Sequence, residues 1–415
     1  MKLKDAIDVG SFLAIRSIRR SNKYVTGLII FILTLIFLNL VAIGGLLLGL
    51  IRGAEIGYIA TYGGSVIIEP LEDEKYIKHP DDILDFTETL PGYIAYGPRH
   101  DMSVKLEAGY KEKKVGSEVS NVSGLLTGVD PELEAQTTNF PGMVSEGRFL
   151  ESGDRDSIVL GSIVAGRGDT IGFGEALENV YVGDKIRASY GNGSQREYTI
   201  VGFLETKEPE INLKAYVTNE EIQDVFGFSD PKYTDIHIKI ADPFAVRDFT
   251  AFYEEAGYDK DYTIERWDQA IGTAVDDVND TMRALGDIIG GIGLMVGAVT
   301  IFILIFVNAV SKRRFIGIMK ANGISSFAIV MSYVLQGVFY SVIAVTIGMV
   351  TLFGFLIPYV DRNPIDFPFA DGVLYVPLDY AIVRLIVLLV VTFFSGLIPA
   401  YLIARENTLN AILGR

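Results

Sequence analysis

The chain has no cysteine, three histidines and one tryptophan in 415 residues. Without cysteine there is no disulfide, no thiolate metal site, no cysteine nucleophile and no acylated N-terminal cysteine. His79, His100 and His237 lie far apart in sequence, which argues against a histidine metal cluster; each reads as an ordinary surface or strand residue. Positive charge is also scarce, with 36 Lys and Arg against 52 Asp and Glu and a net charge of −16. A nucleic-acid surface needs clustered bases to neutralise phosphates, so no such partner is expected. No Gly-Lys dipeptide occurs, which excludes a Walker A phosphate loop. No Ser/His/Asp arrangement is suggested.

What is abundant is apolar: 49% of residues are hydrophobic, and the mean hydropathy is +0.33. An acidic chain this apolar must segregate the two along its length. Residues 25–51 form 27 consecutive positions without a charge. About 20 apolar residues cross a bilayer, and the run is too long, with no small-residue cleavage pattern after it, for a signal peptide. Further runs cover 288–310, 321–360 and 381–404, the last broken only by Arg384 near its start.

Charge settles whether 321–360 is one span or two. The loop before it carries Lys312, Arg313, Arg314 and Lys320 without an acid, whereas the loop after it carries Asp361, Asp366, Asp371 and Asp379 against Arg362. Basic short loops stay cytoplasmic, so a single span separates them. Four spans are expected, over 24–52, 288–310, 327–358 and 381–404. A basic N-terminal segment 1–23, amphipathic and helical, and the tail 405–415 then lie in the cytoplasm. The stretch 53–287, with 45 acids and 21 bases, lies outside.

That large segment reads as α+β. Alternation marks strands at 65–70, 156–165, 185–190, 196–205 and 234–241, with Asn192-Gly193 in a hairpin turn. Helices are expected at 80–90, 218–226 and 243–257, the last with Asp242 as N-cap, Pro243 at its first position and Gly257 as stop. The order gives a discontinuous ferredoxin-like subdomain over 53–138 and 231–267, with a β-rich subdomain inserted at 139–230. Residues 268–287 form a stalk with an apolar stripe of Ile271, Ala274, Val275, Val278, Met282 and Leu285. The fold class is therefore integral membrane and α-helical, with four transmembrane helices and an α+β extracytoplasmic domain between the first two.

Small residues four apart allow helices to approach closely; such pairs are Gly45/Gly49, Gly286/Gly290 and Gly293/Gly297. The acids Glu72, Asp73, Glu74, Asp81 and Asp82 lack calcium-loop spacing and read as a solvated face, so no metal is expected. Asn121, Asn192 and Asn279 head glycosylation-type triplets, a pattern common by chance.

One span, a large outer domain and three more spans resemble the permeases of MacB-type ABC transporters, a family that includes LolC/LolE and FtsX. The segment FLAIRSIRR (12–20) resembles the family's cytoplasmic N-terminal helix. KRRFIGIMKANGIS (312–325) resembles its basic loop signature, and PAYLIARENTLNAI (399–412) its closing element. LLTGVDPELEAQ (125–136) and the stretch 158–190 resemble outer segments of the Lol branch.

The resemblance implies a non-catalytic permease of the inner cell membrane that works by mechanotransmission. Residues 311–326 would be a coupling helix docking on a separate cytoplasmic ATPase dimer, with Arg313, Arg314, Phe315, Ile316, Gly317, Lys320 and Gly323 as the contact positions. ATP and Mg²⁺ would be held by that partner, and this chain would bind no cofactor. A second permease copy or paralogue is expected, with a lipoprotein, lipid or other amphiphile as substrate. The other readings are MacB-like peptide or drug efflux and FtsX-like activation of external enzymes. Three departures stand out. Phe315 replaces the family's usual Glu, the sequence holds no fused ATPase domain as MacB does, and only GNGSQ (191–195) occupies the place of the LolC hook.

Overall fold

The computed structural model describes residues 3–111, 120–167, 176–270, 273–367, 370–372 and 374–405. The tail from 406 and the side chains of 271–279, hence most of the expected stalk stripe and Asn279, lie outside the described residues. The chain forms two compact units, residues 54–276 with 368–370, and the remainder.

The membrane unit holds the expected helices. Four are long and apolar enough to cross a membrane, over 23–63, 280–307, 326–362 and 378–402; the last ten residues of the first belong to the other unit. They are called spans 1 to 4 here. Helices suit these runs because all their backbone groups bond within the segment. The 321–360 run gives one helix, Ser326–Thr351, continued by a π turn at Leu352–Leu356 into Ile357–Arg362. Pro358, which lacks an N–H, follows that turn, and a wider turn accommodates the missing bond. Phe37 and Val41 of span 1 are fully buried among Val345, Leu352 and Leu388. Leu33 packs with Ile301, Ile305, Tyr340 and Ala344.

The second unit is built on ten strands. They are β1 (Val66–Pro70), β2 (Tyr93–Ala108), β3 (Ser120–Val129), β4 (Val144–Gly147), β5 (Ser157–Gly161), β6 (Lys185–Tyr190), β7 (Gln195–Leu204), β8 (Lys214–Thr218), β9 (Asp235–Ile240) and β10 (Tyr262–Arg266). At one end the order is β10-β1-β9-β2, all antiparallel. The helices Pro80–Glu88 and Val246–Ala256 connect β1 to β2 and β9 to β10, which is the ferredoxin-like arrangement. Alternation sends Val66, Ile68, Ile236 and Ile238 into a core with Ile83, Leu84, Phe249 and Tyr253. Asp242 accepts from Phe244 N–H, and Gly257 closes the second helix at φ +83°.

At the other end the pairings close on themselves. β2 pairs β3, β3 pairs β8, β8 pairs β5, β5 pairs β7, β7 pairs β6, and β6 returns to β2. The result is a six-stranded barrel filled by Leu106, Leu126, Ile158, Leu160, Ile186, Tyr198, Ile200 and Val217. Gly193, at φ +84°, makes the β6–β7 hairpin turn. The barrel takes the second half of β2 and all of β3, so the expected subdomain join at residue 139 is too late. β2, at 16 residues, runs unbroken through both halves.

Candidate functional site

The basic loop between spans 2 and 3 folds as the helix Arg313–Ala321. Its apolar residues point two ways. Ile316 and Gly317 are buried, with Ile316 and Met319 packed on Ile329, Val330, Tyr333, Val334 and Ala400 of spans 3 and 4. Burying a side chain such as Ile316 is worth about 1.5–3 kcal/mol. Phe315 and Ile318, one helical turn apart, face outward at 60% and 44% exposure, beside the exposed Arg314. Arg313 and Lys320 are half-buried.

Both ends of this helix are fixed. Gly323 has φ +85°, its N–H bonds Lys320 O at 3.0 Å, and Ile324 N–H bonds Met319 O at 3.1 Å. This is a Schellman close, with Ile324 and Met319 joining the same apolar cluster. Ser325 then caps the next helix by accepting from Ala328 N–H. At the other end Lys312 Nζ lies 3.4 Å from Ser17 Oγ. Ser17 donates to Gln336 Oε1 at 3.0 Å, and Gln336 donates to Ser332 O. Burial lowers the Lys312 pKa. Ser17 belongs to the helix Leu3–Arg20, which packs on span 3 so closely that a Cβ on Gly10 would lie 3.0 Å from Ala328 O. The N-terminal helix and the basic helix therefore share one support.

Four glycines of span 2 face span 1. A Cβ on Gly293 would lie 2.6 Å from Asn39 Oδ1, and one on Gly297 2.7 Å from Ile36 Cγ2. Gly286 and Gly290 meet Leu47 and Leu40 at 3.3 and 3.4 Å. Gly45 instead accommodates Val376 and Leu374 from the segment before span 4, and Gly49 is buried. Arg384 of span 4 is ion-paired to Asp287 at the head of span 2 and lies 4.8 Å from the Tyr380 ring, a partner that the sequence did not indicate.

Sequence reasoning missed a buried polar network in the second unit. His79 is exposed, and the strand residues His100 and His237 are 2% and 1% exposed. Arg99 on β2 grips Glu134 with Nε and Nη2 at 3.0 and 2.8 Å, and also donates to Tyr62 O. Its Nη1 lies 3.2 Å from His237 Nε2, which lies 2.7 Å from Asp235 Oδ2. Lys214 donates to Asp101 and to the Tyr62 hydroxyl. Burial opposes ionisation of Glu134, but the Arg99 charge and hydrogen bonds outweigh it and hold the carboxyl below the usual range. His237 lies on the face of β9 opposite Ile236 and Ile238, and that face is covered by the helix Pro131–Thr137 and by the chain at 58–63. Asp130 caps that helix through the N–H groups of Glu132 and Leu133, which gives GVDP a structural role. Among the described residues no group of three or more His, Cys, Asp or Glu side chains could hold a metal ion.

No curated protein sequence matches the chain. Among solved structures, the periplasmic region of MacB from Actinobacillus actinomycetemcomitans aligns at 16% identity and TM-score 0.32, over 50% of this chain and 91% of that one. The extracellular domain of the noncanonic ABC-type transporter YknZ from Gram-positive bacteria aligns at 11% identity and TM-score 0.33, over 49% and 98%. Residues 288–408, which hold the basic helix and nearly all of the last three spans, match the family model of the FtsX-like permease C-terminal domain.

Proposed function

We propose that the chain is the non-catalytic permease subunit of an ABC transporter of the MacB/FtsX type, driven by a separate ATPase dimer. The observation that carries this reading is the helix Arg313–Ala321. It lies inside the segment that matches the permease family, is anchored by Ile316, and turns Arg314, Phe315 and Ile318 outward. An exposed apolar pair beside a cation, on a helix fixed at both ends, suits insertion into a partner's groove.

In this reading ATP and Mg²⁺ belong to the partner. The basic helix and both termini are cytoplasmic, and residues 54–276 are extracytoplasmic. A second permease copy or paralogue completes the membrane part. Closure of the ATPases moves the spans, and the outer domain acts on a lipoprotein, lipid or other amphiphile already outside. Phe315, where the family usually has Glu, makes the contact apolar rather than ionic.

The test is co-expression with a candidate ABC ATPase from the same genome, followed by affinity co-purification and ATPase assay. Arg314→Glu combined with Phe315→Ala and Ile318→Ala is expected to abolish co-purification and stimulation while leaving the permease folded. Unchanged assembly and stimulation would refute the coupling role.

A further inference from the structure

The second unit contains a cavity of about 660 Å³ on the face of the ferredoxin-like sheet opposite its two helices. The strand alternation that buries Val66, Ile68, Ile236 and Ile238 turns Ile67, Glu69, Asp235, His237 and Glu265 toward it. Its other walls come from Tyr58 and Tyr62, edge to face at 5.6 Å, and from Glu208, Pro209 and Glu210. The volume is that of a small-molecule site.

Its charge is predominantly negative: Glu55, Glu69, Glu208, Glu210 and Glu265 line it, with Lys207 on the same wall as Glu208. Asp101 is ion-paired with Lys214, and Asp235 Oδ2 lies 2.7 Å from His237 Nε2. Among the described residues, no ion pair or hydrogen bond reaches the carboxylates of Glu69, Glu208, Glu210 or Glu265, although Glu208 is half-buried. Burial, and then Glu210, push the Glu208 carboxyl up to about 7. Burial, and then Glu265, raise that of Glu69. Uncompensated carboxylates in a concave site cost stability unless a cation joins them. Tyrosine faces favour the same charge, and Ile67 and Pro209 supply apolar surface.

We propose that this cavity binds an amphipathic organic cation, its ammonium or guanidinium group against Glu69, Glu208 and Glu265 and its apolar body along Ile67, Pro209 and Tyr58. Binding here needs no ATPase, so its failure leaves the permease reading intact, and failure of that reading leaves the cavity intact.

The experiment is isothermal titration of the full chain in lipid nanodiscs with hexyltrimethylammonium, with 1-hexanol as neutral probe and empty nanodiscs subtracted. Saturable heat is expected for the cation and none for the alcohol. Glu69→Gln, Glu208→Gln and Glu265→Gln together are expected to weaken the cation at least about tenfold. Glu208→Gln alone, which removes a charge without a partner, gives a loss of about threefold and serves where the triple variant does not fold. The proposal is overturned by absence of saturable cation binding, by equal binding of hexanol, or by unchanged affinity in the folded variants.

Discussion

Arg99 and Glu134 form a two-pronged ion pair in which both side chains are almost wholly enclosed, at 2% and 1% exposure. The pair joins β2 to the helix Pro131–Thr137, and Arg99 reaches on to the carbonyl of Tyr62. It therefore fixes the last turn of the helix 23–63, which belongs to this unit, to the middle of the sheet. Removing one partner strands the other charge, at a cost of about 3–5 kcal/mol. Glu134→Gln is expected to lose about that much stability, whereas Arg99→Met with Glu134→Leu loses less. Trp267, the only tryptophan, is buried in this unit and donates to Pro243 O, so its fluorescence during denaturant unfolding reads the outcome.

Glu208 predicts a pH dependence. Its carboxyl titrates at about 7 in the folded protein against 4.5 ordinarily. The folded state thus holds the proton more tightly, so this group's contribution is complete below 4.5 and is lost as pH rises through 7. Glu208→Gln removes that slope. It is expected to stabilise the protein by about 1–3 kcal/mol at pH 8 and by little at pH 4.5. Equal gains at both pH values would refute the assignment; Trp267 fluorescence serves here as well.

The glycine face of span 2 gives a contrast within one helix. Gly297→Val drives a methyl into Ile36, whereas Gly291 has nothing within 4 Å of an added Cβ. Overpacking costs about 1–3 kcal/mol. Gly297→Val is expected to lower the temperature at which the detergent-solubilised protein aggregates on size exclusion, and Gly291→Ala to leave it unchanged.

Gly323 tests the basic helix without touching its surface. Its φ of +85° suits glycine, and space around it is open. Gly323→Ala is expected to cost about 1 kcal/mol through the backbone alone. Gly323→Asn, which tolerates the left-handed region, is expected to recover much of that. Thermal stability and ATPase co-purification should follow the same order.

The membrane half was legible because a bilayer imposes a simple rule: uncharged runs and the sign of the short loops were enough to number the spans. The basic helix was legible from its charge, and its outward apolar pair was not. Phe315 and Ile318 alternate around the helix with Ile316 and Met319, and only the position of spans 3 and 4 decides which pair is covered. The ferredoxin-like order followed from strand–helix–strand pieces near each end. The barrel did not, because its closure depends on β6 pairing with both β2 and β7. The β2 pairing joins residues about 80 apart, beyond the reach of local alternation. The burial of His237 was not legible for a related reason: alternation tells two faces apart but not what packs on each.

The long β2 strand has a mechanical consequence. Its first half pairs with β9 in the open sheet and its second half with β6 in the barrel, with β3 alongside the join. From His100 to Ser103, at the join, β2 pairs with β3 alone, and that pairing runs without a break from Arg99 to Ala108. Backbone pairing is thus continuous along β2 from one half of the unit to the other. Displacement applied at Tyr62, whose carbonyl Arg99 holds on this same strand, should turn the sheet and barrel together as one girder.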